Sequence, residues 1–153
     1  MANTYTQIHI QCVFAVKFRQ SLIRLEWKER LQKYITGIVQ NNGHKMIAVN
    51  SMPDHVHIFF GFRPNQSLSD LMRMVKGESS EWINQQKFNS SVFRWQEGYG
   101  AFSYARSQVK VVAEYVENQE NHHRKKTFLD EYKDFLERFE VEYDERYIFK
   151  DLE

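Results

Sequence analysis

The chain has 153 residues, of which 42% are hydrophobic and 15% aromatic, enough for one domain with a packed core. Its longest apolar runs, such as residues 57–62, have the length of a strand, so we expect neither a signal peptide nor a membrane-spanning helix. The single cysteine, Cys12, has no intramolecular disulfide partner and is interpreted as a buried small hydrophobe in a reducing cytoplasm.

The net charge of +1 combines two regions of opposite sign. Residues 1–129 carry 17 Lys and Arg against 10 Asp and Glu, a balance of +7. Residues 130–153 carry 4 against 10, a balance of −6. A basic body suits a partner that bears phosphates, because local patches decide such binding more than total charge does. The acidic tail is interpreted as a solvated helix.

Hydrophobic spacing predicts the first elements in chain order. Residues 4–16 alternate as a half-buried strand does, and residues 21–40 have the spacing of an amphipathic helix that ends at Gly43. Residues 44–51 and 55–62 are predicted as two strands of a hairpin, joined by a Met-Pro-Asp turn.

The second half is predicted to contain a helix, a strand and two further helices. Ser67 is predicted to cap a second helix, a fourth strand is predicted at 98–105, and Ser107 is predicted to cap a helix that reaches about Asn121. Residues 127–139 form one more amphipathic pattern, whose partner surface the sequence leaves open. The order β-α-β-β-α-β followed by a helix predicts a ferredoxin-like α+β fold with an antiparallel sheet.

The stretch PDHVHIFF at residues 53–60 places two histidines in an apolar strand. His55 and His57 point to one side of that strand, because side chains alternate between faces. Two adjacent imidazoles form a pre-organised pair of metal ligands. A pair of surface or hydrogen-bonded histidines without a ligand is the alternative at this point.

A second polar group lies on the helix predicted after Ser107. Tyr115 and Gln119 are four residues apart and therefore share one helical face, which Gln108 and His122 extend. A phenol, two amides and an imidazole are an unusual choice for a face that packs on a core. An exposed polar helix with an amphipathic tyrosine is the alternative.

Taken together, these motifs resemble a known family. HVH at 55–57, YVENQ at 115–119, WQEGYGAFSYA at 95–105 and AVKFRQ at 15–20 resemble the single-tyrosine HUH transposases, above all the insertion-sequence 200/605 family. The resemblance runs in order and spacing from about Tyr5 to His123. It implies a single transposase domain over residues 1–153, with a core at about 4–123, an added catalytic helix and an acidic helical tail.

The resemblance also implies site residues and a reaction. His55, His57 and the amide oxygen of Gln119 would bind the metal, and Tyr115 would be the nucleophile. The family cuts single-stranded DNA next to hairpins, forms a 5′-phosphotyrosine linkage and a free 3′-hydroxyl, and then transfers the strand. It implies a homodimer in a prokaryotic cytoplasm, with neither a membrane partner nor a small-molecule cofactor. His122 and His123 receive no role.

The metal is assigned by the resemblance. Judged by the softness of their ligand atoms, two imidazoles would suit Zn, Mn or Co, whereas an amide oxygen and a phosphate favour harder ions. The family implies Mg²⁺ or Mn²⁺. A divalent cation is needed because a tyrosine hydroxyl, with a pKa of about 10, is a poor nucleophile at neutral pH.

Three groups of cations are candidates for binding DNA phosphates. The first is Lys17 with Arg19, which flank Phe18 at the end of the first strand. The second is Arg73 with Lys76, three residues apart on a helix, and the third is the run at 124–126. Ordinary solvated charge is the alternative for each.

Two other functions fit the same fold. A domesticated hairpin-binding protein would bind DNA without mobilising it. A metal-dependent phosphodiesterase that uses water would cut DNA without a covalent protein–DNA adduct, and it would not need Tyr115.

Overall fold

Four antiparallel strands form one sheet in the computed structural model, which describes residues 3–123 and 126–144. The strands are β1 (His9–Ala15), β2 (Lys45–Met52), β3 (His55–Gly61) and β4 (Gly100–Tyr104), and the helices are α1 (Leu25–Asn41), α2 (Leu68–Gln86), α3 (Val109–Glu117), α4 (Gln119–His123) and α5 (Phe128–Arg138). The strand order β2-β3-β1-β4 is that of a ferredoxin-like sheet, which confirms the predicted fold class.

One face of the sheet is covered by α1 and α2. The apolar side chains of the first strand that were predicted to share a face lie in this layer, together with alternate residues of β3. Cys12 is fully buried among them, and burial raises the pKa of its thiol, so it stays a neutral thiol. The buried members from the strands are Ile10, Cys12, Phe14, Val56, Ile58 and Phe60, and those from the helices include Trp27, Leu31, Ile35, Leu71, Met72 and Val75.

The other face of the sheet is covered by α3 and α5. Phe59 and Ala48 pack against α3, whereas Phe102 and Val13 pack against α5. The partner surface of the helix predicted at 127–139 is therefore the sheet itself. The buried side chains that α5 contributes are Phe128, Glu131, Tyr132, Phe135 and Leu136.

The position of α5 corrects one prediction. The acidic tail was interpreted as a solvated helix, but its segment 128–138 buries the apolar face of the amphipathic pattern predicted at 127–139, and Glu131 is buried on that face too. Its start is fixed by Thr127, whose hydroxyl accepts a hydrogen bond from the Asp130 amide at 3.2 Å. Residues 145–153 of the tail lie outside the described residues.

Two helix starts were predicted with different success. Ser67 does cap α2, since its hydroxyl accepts from the Asp70 amide at 3.0 Å. Ser107 instead lies in a 3-10 turn that precedes α3. The helix predicted to reach Asn121 without interruption is also wrong, because it breaks at Asn118 between α3 and α4.

Gly100 marks the place where α5 meets β4. A Cβ atom there would lie 2.7 Å from Tyr132 Cε1 and 3.0 Å from Phe102 Cε2. We expect Gly100→Ala to lower the free energy of unfolding by about 1–3 kcal/mol in urea denaturation, because it overpacks this contact. Gly77→Ala is the matched control, because Gly77 is exposed on α2 and nothing lies within 4 Å of its added Cβ. We expect this change to raise the free energy of unfolding by up to about 1 kcal/mol. Equal effects at both glycines would contradict this packing.

Among the described helices, none is both long enough and apolar enough to cross a membrane.

Candidate functional site

The two histidines of β3 lie on the sheet face that α3 and α5 cover. β3 is an inner strand, with His55 paired to Ala15 and His57 paired to Val13 on β1. Both side chains are buried, 1% and 0% exposed, and their ring centroids are 5.2 Å apart. A doubly paired strand holds its backbone rigidly, so the two imidazoles have a fixed separation.

The first imidazole, His55, is oriented by its neighbour in the β2–β3 turn. Its Nδ1 lies 2.6 Å from Asp54 Oδ1. Burial raises the pKa of Asp54, but the hydrogen bond and charge of His55 outweigh burial, and the net pKa is lowered. An ionised carboxylate at this distance holds the proton of His55 on Nδ1.

The second imidazole, His57, is oriented by Gln11 of β1. The Gln11 Nε2 amide donates to the Tyr104 hydroxyl at 2.9 Å, which turns Oε1 toward His57 Nδ1 at 2.7 Å. A carbonyl oxygen only accepts, so His57 donates from Nδ1, and in the neutral ring the lone pair is on Nε2. Both histidines thus have the outer partner at Nδ1 that is typical of metal-binding histidines.

The predicted nucleophile, Tyr115, lies next to this pair in the same chain. Its ring centroid on α3 is 6.2 Å from that of His57. Gln119, the first residue of α4, is fully buried beside it. The Gln119 Nε2 amide donates to the Tyr115 carbonyl oxygen at 3.3 Å, and the Gln119 side chain also hydrogen-bonds the Tyr115 side chain. The structure therefore brings His57, Tyr115 and Gln119 together from three elements.

Glu131 of α5 is a site residue that was not predicted. Its Oε1 lies 3.2 Å from His57 Nε2, and its Oε2 accepts a hydrogen bond from the Tyr115 hydroxyl. Ligand atoms of His55, His57 and Glu131 all lie within 4.8 Å of one another, the spacing of a metal-binding group. Gln119 as the third ligand stays a prediction.

Aromatic side chains of α5 cover the histidine pair. The Phe128 ring stacks on His55 with centroids 4.0 Å apart and an interplanar angle of 17°. Phe135 lies 6.3 Å from His57 and 5.8 Å from Tyr115, centroid to centroid. In this arrangement, α5 lies between the histidine pair and solvent.

The same cover changes the pKa of Tyr115, the predicted nucleophile. Burial raises the pKa of Tyr115 well above its usual value, and the Glu131 charge and hydrogen bond raise that pKa further, whereas Gln119 opposes them. Tyr115 is consequently a neutral phenol here.

The predicted DNA-binding residues have different surroundings. Lys17 and Arg19 lie in a turn next to the end of β1, and the Lys17 ammonium is 5.5 Å from the centroid of the Phe18 ring, which is 39% exposed. Arg73 is exposed and pairs with Asp70 at 3.3 Å. A role for these residues on DNA stays a prediction.

Lys76 makes hydrogen bonds to the backbone of the loop before β4. Its ammonium donates to the carbonyl oxygens of Gln96 (2.7 Å) and Gly98 (2.8 Å), and its pKa is lowered by burial. It therefore anchors the loop before β4. In the third predicted cluster, Arg124 and Lys125 lie outside the described residues, as do the side chains of His122 and His123.

Comparison with known proteins identifies the family of this chain. The family described as "Transposase IS200 like" matches residues 4–119. The chain belongs to this family.

Individual IS200-like transposases share the sequence to different extents. The ISDra2 transposase TnpA of Deinococcus radiodurans is 30% identical over 74 residues, 48% of this chain and 53% of that protein. The match thus covers about half the length of that relative. The transposase for insertion sequence element IS200 of Salmonella typhimurium is 22% identical over 125 residues, 78% of this chain and 81% of that protein.

A solved structure shares the fold of this chain. It is the REP-associated tyrosine transposase bound to a REP hairpin, with a TM-score of 0.60 and 13% identity over 80% of this chain and 73% of that chain. At this identity, the likeness describes the fold alone.

Sequence reasoning missed three residues that surround the candidate site. Gln11 follows Gln7 and His9 on the polar face of the first predicted strand, so nothing in the sequence indicated that it is buried. Asp54 directly precedes the histidine motif. Glu131 lies on the apolar stripe of its helix, between Phe128 and Phe135. A lone polar residue on an apolar face is the signal that could have found Glu131.

Proposed function

We propose that this chain is a metal-dependent, single-stranded DNA transposase in which Tyr115 attacks a DNA phosphate next to a hairpin. The observation that carries the proposal is the meeting of Tyr115 and His57 in one chain, with ring centroids 6.2 Å apart and both histidines fixed through Nδ1. A water-using phosphodiesterase has no need for a phenol at this position.

The covalent steps balance as a transesterification. The Tyr115 oxygen forms a bond to phosphorus as the bond from phosphorus to the 3′ oxygen breaks. The phenol loses one proton and the leaving oxygen gains one, which yields a 5′-phosphotyrosine and a 3′-hydroxyl. Strand transfer reverses these steps with an incoming 3′-hydroxyl, so it needs no external energy source.

The donor set fits a divalent cation. His55 and His57 would hold it through Nε2, since their Nδ1 atoms are engaged with Asp54 and Gln11. When bound, Mg²⁺ or Mn²⁺ acts as a Lewis acid on the scissile phosphate. The protein itself would orient both imidazoles and the Tyr115 phenol toward one phosphate.

Single-stranded DNA carrying a hairpin is the proposed substrate. The exposed ring of Phe18 between Lys17 and Arg19 supports it, because aromatic rings stack on unpaired bases and cations bind the phosphates. Arg73 is a further exposed cation for a hairpin stem. The homodimer implied by the resemblance stays a prediction, and the site described above draws on a single chain.

Labelled single-stranded oligonucleotides with a hairpin test this function. The full chain is incubated with them and Mn²⁺, and the products are separated on a denaturing gel. We expect label retained on the protein, and none when EDTA replaces the metal. Free nicked DNA without a retained band would favour the phosphodiesterase. A native gel shift without any cutting would favour the hairpin-binding protein.

A further inference from the structure

The Glu131 carboxylate bridges the metal ligands and the nucleophile. One oxygen lies 3.2 Å from His57 Nε2, and the other accepts the hydrogen bond from the Tyr115 hydroxyl. Glu131 is 4% exposed and His57 is fully buried. Ligand atoms of His55, His57 and Glu131 all lie within 4.8 Å of one another, so one bound partner can contact all three side chains.

The geometry at His57 indicates what that partner is. Gln11 fixes the imidazole proton on Nδ1, so in the neutral ring the Nε2 lone pair faces the carboxylate oxygen of Glu131. A proton on Nε2 or a cation bound to both atoms satisfies this contact. Two ligands on one octahedral Mg²⁺ or Mn²⁺ ion also lie about 3 Å apart, which matches the observed 3.2 Å.

We propose that Glu131 is a ligand of the divalent cation, together with His55 and His57, while no DNA is bound, and that the scissile phosphate takes its place. This inference rests on the proposed function, because it concerns the same cation. A carboxylate oxygen adds the hard ligand that two imidazoles lack and that Mg²⁺ and Mn²⁺ prefer.

The position of α5 over the histidine pair is the reason to expect that the DNA phosphate replaces Glu131. The Phe128 ring stacks on His55 at 4.0 Å, so a DNA phosphate reaches the histidine pair only after α5 moves. Glu131 moves with that helix. One of its oxygens faces the proposed metal ligand His57 and the other accepts from the proposed nucleophile Tyr115, the two groups that a scissile phosphate would have to reach. Glu131 is therefore an internal substitute for the DNA phosphate.

Metal affinity without DNA tests the ligand role. We expect Glu131→Gln in the full chain to weaken Mn²⁺ binding at least about tenfold in calorimetric titration, because the amide keeps the size of the side chain but loses its charge. Glu137→Gln, an exposed carboxylate on the same helix, is the matched control and should bind Mn²⁺ as the unchanged chain does. Equal affinities of all three proteins would overturn the proposal.

Cleavage tests the replacement step. We expect Glu131→Gln to retain the covalent adduct and to reach half-maximal cleavage at a DNA concentration several-fold lower than the unchanged chain, since the phosphate no longer competes with a carboxylate. Loss of the adduct in Glu131→Gln would show that Glu131 stays in the reacting complex and would overturn replacement.

A third variant separates this inference from the proposed function. His57→Ala should lose Mn²⁺ binding under either assignment of the third ligand. If His57→Ala loses binding and Glu131→Gln does not, the inference about Glu131 is wrong and the metal-dependent function stands. If His57→Ala binds Mn²⁺ normally, the proposed metal site itself is wrong.

Discussion

Replacing Tyr115 with phenylalanine is expected to abolish the covalent protein–DNA adduct and to lower cleavage at least about a thousandfold. The phenyl ring keeps the packing against Phe135 and His57, so only the hydroxyl is removed. Loss of its hydrogen bond to Glu131 should lower the free energy of unfolding by no more than about 1–3 kcal/mol. Adduct yield on a denaturing gel and a urea melt measure the two effects separately.

Tyr34→Phe is the control for this substitution. Tyr34 is also half-buried and stacks on an aromatic ring, that of Trp82 at 4.7 Å, but it lies on the opposite side of the sheet. We expect full activity from it. Cleavage by Tyr115→Phe at the rate of the unchanged chain would mean that water, not the phenol, attacks the phosphate.

His57→Ala is expected to produce the second large effect. It removes the imidazole that lies between Gln11, Tyr115 and Glu131, and with it one cation ligand. We expect Mn²⁺ affinity to fall on the order of 100-fold and the adduct to disappear. The buried cavity and lost hydrogen bonds should also lower the free energy of unfolding by about 2–4 kcal/mol. Titration and denaturation are therefore both needed.

His44→Ala separates the metal effect from the loss of stability. His44 is equally buried, but it bonds to Gln66 Oε1 at 2.8 Å and to the Arg63 amide at 3.0 Å, and it stacks on Phe62. We expect a comparable loss of stability with unchanged Mn²⁺ affinity. Equal losses of affinity in both variants would indicate a general effect of unfolding.

The sheet and its helices could be predicted because local patterns specify them. Alternation specified the strands, helical spacing specified α1, α2 and α5, and Ser67 marked a helix start. The predicted proximity of Tyr115 to the histidine motif came from the family resemblance. The period of a strand alone puts His55 and His57 on one side, but it does not say which helix faces them.

The remainder of the site depended on tertiary contacts. Glu131 is distant from the histidines in sequence, and only the docking of α5 on the sheet brings its carboxylate to His57. The break at Asn118 could not be predicted from helical spacing, because the polar stripe continues through it. Lys76 resembled a phosphate ligand in sequence, but the loop that it anchors is specified by the fold.

The most direct measurement is to identify the residue that carries the DNA. After reaction with a hairpin oligonucleotide and Mn²⁺, nuclease and trypsin treatment should release the peptide of residues 111–124, which mass spectrometry would find enlarged by a nucleotide phosphate at Tyr115. The same peptide should be unmodified after reaction in EDTA. If the DNA is cut while this peptide keeps its unmodified mass, Tyr115 is not the residue that attacks the phosphate.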